Sequence, residues 1–173
     1  MTSTASERAG LFSVRLGLRT WVPAVAWTLL TIAASGDLLS AHHTGGLVIW
    51  FFQTFLPKVD SRYWDYTHTF LRKFGHFFNY GILSWLWFRA ARFWELRAVA
   101  KSWSLRWAVA GLGFAVATAL CDEGLQHFVP SRTGSWEDVA LDSCGALFAQ
   151  VVIAMLLWRS RGSASAARSR TTA

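Results

Sequence analysis

Cysteine, proline and acidic residues are scarce in this 173-residue chain, and each shortage narrows what the protein can be. The two cysteines, Cys121 and Cys144, form no Cys-x-x-Cys pair. Both lie near or inside apolar runs and read as buried thiols acting as small hydrophobes, with a disulfide between them as the alternative. The three prolines leave the apolar stretches nearly uninterrupted: Pro23 falls near the start of one, Pro57 closes another, and Pro130 lies in a loop. Ten acidic residues face 17 basic ones, a net charge of +7. No cofactor is expected; a divalent cation held by His76, Glu123, Asp138 and Asp142 is the weaker alternative, since no His-x-x-x-His or His-Glu-x-x-His spacing supports it. Ser135 lacks a Gly-x-Ser-x-Gly context and Cys121 lacks an evident activating base, so no nucleophile motif stands out. What is abundant is apolar and aromatic: 53% hydrophobic residues, 11 Trp and 13 Phe, with a positive mean hydropathy. That composition points to a bilayer, where Trp favours the interface.

The apolar runs predict an all-α membrane protein of about four transmembrane helices in a compact bundle. A basic stretch, residues 1–20, leads into a first span at 21–39. The basic leader and the small residues Ala33-Ala34-Ser35 also fit a secretory signal, although the segment is read as a retained span. Residues 47–56 are apolar but too short to cross, and suit a re-entrant or interfacial segment. A helix starting near Asp65 carries a second span at 77–88; the third and fourth occupy 107–121 and 139–158. Residues 159–173 read as a disordered basic tail. Four spans place 12 of the 17 Lys and Arg on the side of the two termini and the 89–106 connection, so both termini are expected in the cytoplasm. The basic residues are thereby explained by topology, and no nucleic-acid partner is expected. No internal repeat suggests a transporter.

This topology brings distant residues to one outer face. Lys73 and His76 begin the second span there, Glu123 and Gln126 end the third, Asp138 and Asp142 begin the fourth, and Arg132 lies in the intervening loop. Lys73, His76 and Tyr80 share a helical face by spacing. Lys73 near a helix N-terminus and Glu123 near a C-terminus both oppose the helix dipole, which suggests that they pair across helices. Asp142, one turn inside its span, needs a partner such as Arg132 or Lys73. Asp138 stands three residues after Ser135, so helix capping competes with a functional role. His76 is either a general base or an interhelical hydrogen-bonding group. Asp122, Glu137 and Arg72 read as solvated, and the whole cluster also fits a salt-bridge network that fixes the bundle.

At these residues the chain resembles the VanZ-like family of small bacterial membrane proteins, named for a protein associated with teicoplanin resistance. The resemblance rests on Lys73, His76 and Tyr80; on Glu123, Gln126, Pro130 and Arg132; and on Asp138 and Gly145, over roughly residues 20–158. Two positions depart from the pattern: Arg72 stands where the family often has Asp, and Asp142 where it usually has Asn. The resemblance implies a cell-envelope role in the bacterial cytoplasmic membrane. Two functions follow as expectations. In the first, Lys73, Tyr80, Gln126, Arg132 and Asp142 bind a membrane lipid, a lipid-linked envelope precursor or another amphiphile, or the protein engages an envelope-protein partner. In the second, the chain is an intramembrane hydrolase or transferase with Glu123 or His76 as acid or base and Asp138 orienting.

Overall fold

A computed structural model describes residues 3–34, 60–96, 103–126 and 135–171, with isolated positions between 46 and 55. Four long helices make up the fold, and no strand occurs among the described residues: α1 (Ser3–Ala34), α2 (Ser61–Leu96), α3 (Leu105–Gln126) and α4 (Trp136–Thr171). Three contain stretches long and apolar enough to cross a membrane, at Val14–Ala34, Leu105–Gln126 and Trp136–Trp158. The first begins earlier than the expected 21–39, because Val14, Leu16 and Leu18 interleave with the arginines and extend the apolar stretch. Pro23 consequently lies well inside α1, where its ring leaves the Arg19 carbonyl without the usual donor one turn on. At the other end, α4 continues as helix through the Ser/Ala/Arg stretch to Thr171, where a disordered tail was expected. Alanine and arginine are both good helix formers. The expected re-entrant or interfacial segment at 47–56 lies mostly outside the described residues; Trp50, Phe51, Thr54 and Phe55 within it are helical and exposed.

Helix α2 is the hub. It packs against α1, α3 and α4, most extensively against α4. Its apolar signal is weaker because His76, Asn79, Tyr80, Ser84 and Arg89 interrupt its apolar stretch. The core follows from the packing around α2. Tyr80, Leu83, Leu86, Trp87 and Ala90 of α2 meet Ala115 and Ala119 of α3, Val139 and Ala146 of α4, and Ala24 of α1. Large apolar side chains such as Leu29, Leu30, Phe78, Val109, Phe148 and Met155 face outward, as lipid contact requires. Polar links fasten α1 to the hub: Trp27 donates to Asn79 at 2.9 Å, and Trp87 donates to Thr28 at 3.1 Å.

Close helix approach depends on two glycines. A Cβ on Gly111 would lie 2.6 Å from the Ser84 carbonyl, and one on Gly145 would fall on the Phe77 carbonyl. The second contact brings α4 against α2 beside His76 and three residues from Asp142. Small residues thus set the spacing of the polar groups as well as the packing.

Candidate functional site

One end of the bundle gathers the polar cluster from three helices. Helix α2 supplies Arg72, Lys73 and His76 from its N-terminal half and Tyr80 from just past its midpoint. The last turn of α3 supplies Asp122, Glu123 and Gln126, and the first turns of α4 supply Ser135, Asp138 and Asp142. The structure brings Lys73, His76, Tyr80, Glu123, Asp138 and Asp142 to this end, with Gln126 one turn beyond Glu123. Arg132, Pro130 and His127 lie outside the described residues.

The pairing inside the cluster differs from the expected one. Lys73 meets Asp138 at 4.0 Å, and Arg72 meets the other oxygen of the same carboxylate at 3.7 Å. Both cationic side chains are about two-fifths exposed, so they form the mouth of the site. Glu123 has a different partner from Lys73: its Oε2 accepts the Ser135 backbone N–H at 2.7 Å. Ser135 caps α4 with its own hydroxyl, which accepts from the Glu137 N–H at 3.1 Å. The carboxylate that completes this cap comes from α3, whereas the local spacing had suggested Asp138. Asp138 is thereby left to hold the two cations.

Below the mouth the cluster is buried. Asp142 is fully enclosed, and its contact is with His76, whose Nδ1 lies 3.5 Å from Asp142 Oδ1. Neither Asp142 oxygen has a hydrogen-bond partner among the described residues, and the same holds for His76 Nδ1, Glu123 Oε1 and Gln126 Nε2. Tyr80, also fully buried, donates to Asp122 Oδ2 at 3.0 Å. Asp122 had been read as solvated, yet it is 3% exposed. A signal for this was available: Ala115, Thr118, Ala119, Asp122 and Gln126 recur every three or four residues and are all buried. Asp122 continues the face that packs into the bundle. Arg72 was missed for another reason, since only the tertiary approach of α4 brings it to Asp138. The cysteines are free and exposed on the outer surface, which corrects their reading as buried thiols and removes the disulfide.

The arrangement defines a polytopic helical membrane protein whose one unusual feature is a polar, partly unsatisfied site at the end of the bundle. Residues 20–158 match the VanZ/LLP1 family, and the chain belongs to it. No curated protein and no solved structure was found to be similar.

Proposed function

We propose that the protein binds the anionic headgroup of a lipid-linked cell-envelope precursor, or of an amphiphile that competes with one, at the end of the bundle. The observation that carries this reading is the geometry of Arg72, Lys73 and Asp138. Two half-exposed cations share one carboxylate at 3.7 and 4.0 Å, longer than a tight charge-assisted hydrogen bond. Exposed pairs of this kind hold each other weakly, roughly 0–1 kcal/mol, and are readily exchanged for a phosphate or carboxylate. The exposed Trp136 at the start of α4 and the ring ladder Phe70, Phe74 and Phe78 on α2 supply apolar surface for the lipid portion. The distribution of Lys and Arg supports a site on the outer face of the bacterial cytoplasmic membrane, where envelope precursors are assembled and glycopeptides such as teicoplanin act.

The experiment is mass spectrometry of lipids that co-purify with the full chain, followed by titration of a polyprenyl phosphate into protein in nanodiscs. Arg72→Ala and Lys73→Ala should each weaken binding at least tenfold. Equal binding by wild type and both variants overturns the reading.

A second reading is favoured by the His76–Asp142 contact. A buried carboxylate beside a half-buried imidazole is an arrangement that orients a general base. In an intramembrane hydrolase or transferase His76 would be that base, with Asp142 orienting it. Glu123 suits the role less, because one of its oxygens is committed to the Ser135 N–H. Turnover of a lipid-linked precursor by wild type, lost in His76→Gln with binding retained, would establish this reading over simple capture.

A further inference from the structure

We propose that His76, Asp122 and Asp142 form a site for one divalent first-row transition cation, Zn2+ or Mn2+. The three residues come from α2, α3 and α4, and one donor atom from each lies within 4.8 Å of the other two. An imidazole with two carboxylates suits cations of this type, whose two charges would neutralise the pair.

The most specific evidence is Asp142. It is wholly enclosed, it points at the other two residues, and neither of its oxygens has a hydrogen-bond partner among the described residues. A buried carboxylate left in that state is costly unless a charge or a proton accompanies it. The nearest described cationic side chains on α2, Arg72 and Lys73, are directed at Asp138. Its ion-pair contact among the described residues, His76 Nδ1 at 3.5 Å, is longer than an ordinary hydrogen bond. Two ligands on a tetrahedral ion at ~2.1 Å stand about 3.4 Å apart, which matches this separation. Separations of up to 4.8 Å in the trio exceed that spacing by about 1.4 Å, which side-chain rotation covers. Tyr80 supplies the outer support that metal carboxylates commonly have: its hydroxyl donates to Asp122 Oδ2 at 3.0 Å. The close passage of α2 and α4 at Gly145 keeps His76 and Asp142 together. Three protein donors leave coordination positions for water or for an oxygen of a bound ligand. The proposal stands independently of which ligand, if any, enters the mouth.

The test uses the purified full chain in nanodiscs, stripped with a chelator and titrated with Zn2+ and, separately, with Mn2+. Wild type should bind one equivalent of at least one ion, and its melting temperature should rise with that ion. Asp142→Asn, Asp122→Asn and His76→Gln should each weaken binding by a hundredfold or more, while Glu95→Gln binds as wild type does. Spin-echo modulation of the bound Mn2+ in wild type should show an imidazole nitrogen, a readout that needs no variant to fold. Failure of wild type to bind either ion overturns the proposal. So does binding that survives all three substitutions, or bound Mn2+ without nitrogen coupling.

Discussion

Helix α2 carries a polar cluster at each end, and the two are built on opposite principles. Near its C-terminus Glu95 accepts from Trp107 Nε1 at 2.6 Å through one oxygen and meets Arg106 at 2.9 Å through the other. Both oxygens of that carboxylate have a partner, and the group is partly exposed. Near the N-terminal half, Asp142 is enclosed with neither oxygen hydrogen-bonded, and Glu123 and Gln126 each leave one buried polar atom without a partner. The first cluster is what a structural tie between α2 and α3 looks like. The second keeps bonding capacity in reserve at a position where leaving it unmet costs about 1–3 kcal/mol per group. Satisfied charge reads as architecture, and enclosed unsatisfied charge reads as a place for something else to bind.

The most severe way to break the contrast is to force apart the helices that hold the enclosed end. Gly145→Val places side-chain atoms on the Phe77 backbone, so it should cost about 3 kcal/mol or more through overpacking and abolish ligand and metal binding together. A melting temperature in nanodiscs equal to that of wild type would show that α2 and α4 do not approach as closely as described.

Asp142→Asn sharpens the comparison because its expected sign is opposite. Removing a buried charge with no hydrogen-bond partner should stabilise the metal-free protein by about 1–3 kcal/mol. Destabilisation of that size would instead mean that the His76 contact fixes the bundle as a structural ion pair. Glu123→Gln should have a moderate effect. It leaves the Ser135 N–H a weaker, neutral acceptor and should lower stability by about 1 kcal/mol, seen as earlier hydrogen exchange in the first turn of α4. If exchange there is unchanged, Glu123 is not the cap. The smallest effect belongs to Glu95→Gln, which loses a partly exposed ion pair worth well under about 1 kcal/mol and should leave ligand binding at the opposite end untouched. Loss of binding in that variant would mean that the two ends are coupled through α2.

Much of the architecture was legible because the bilayer imposes a simple rule. Long apolar stretches flanked by arginines must be helices, and alternating sides bring the ends of α3 and α4 to the same face as the N-terminal half of α2. The same logic predicts His76, Glu123, Gln126, Asp138 and Asp142 at one end of the bundle. Boundaries were less legible. The leader around Arg15 and Arg19 is helical because its leucines and valine continue the pattern between the charges.

The sequence by itself determined the composition of the site and the helices that carry it, since both follow from one-dimensional patterns of hydropathy and charge. Only the tertiary structure decided who partners whom. Lys73 and Glu123 were natural opposites by charge, yet Glu123 meets the Ser135 N–H and Lys73 meets Asp138. Asp122 and Glu137 are both acidic and near helix ends, yet one is sealed against Tyr80 and the other lies on an exposed surface. The physical reason is that pairing depends on helix rotation and on separations of a few ångströms. Those are set by where Gly111 and Gly145 let backbones touch.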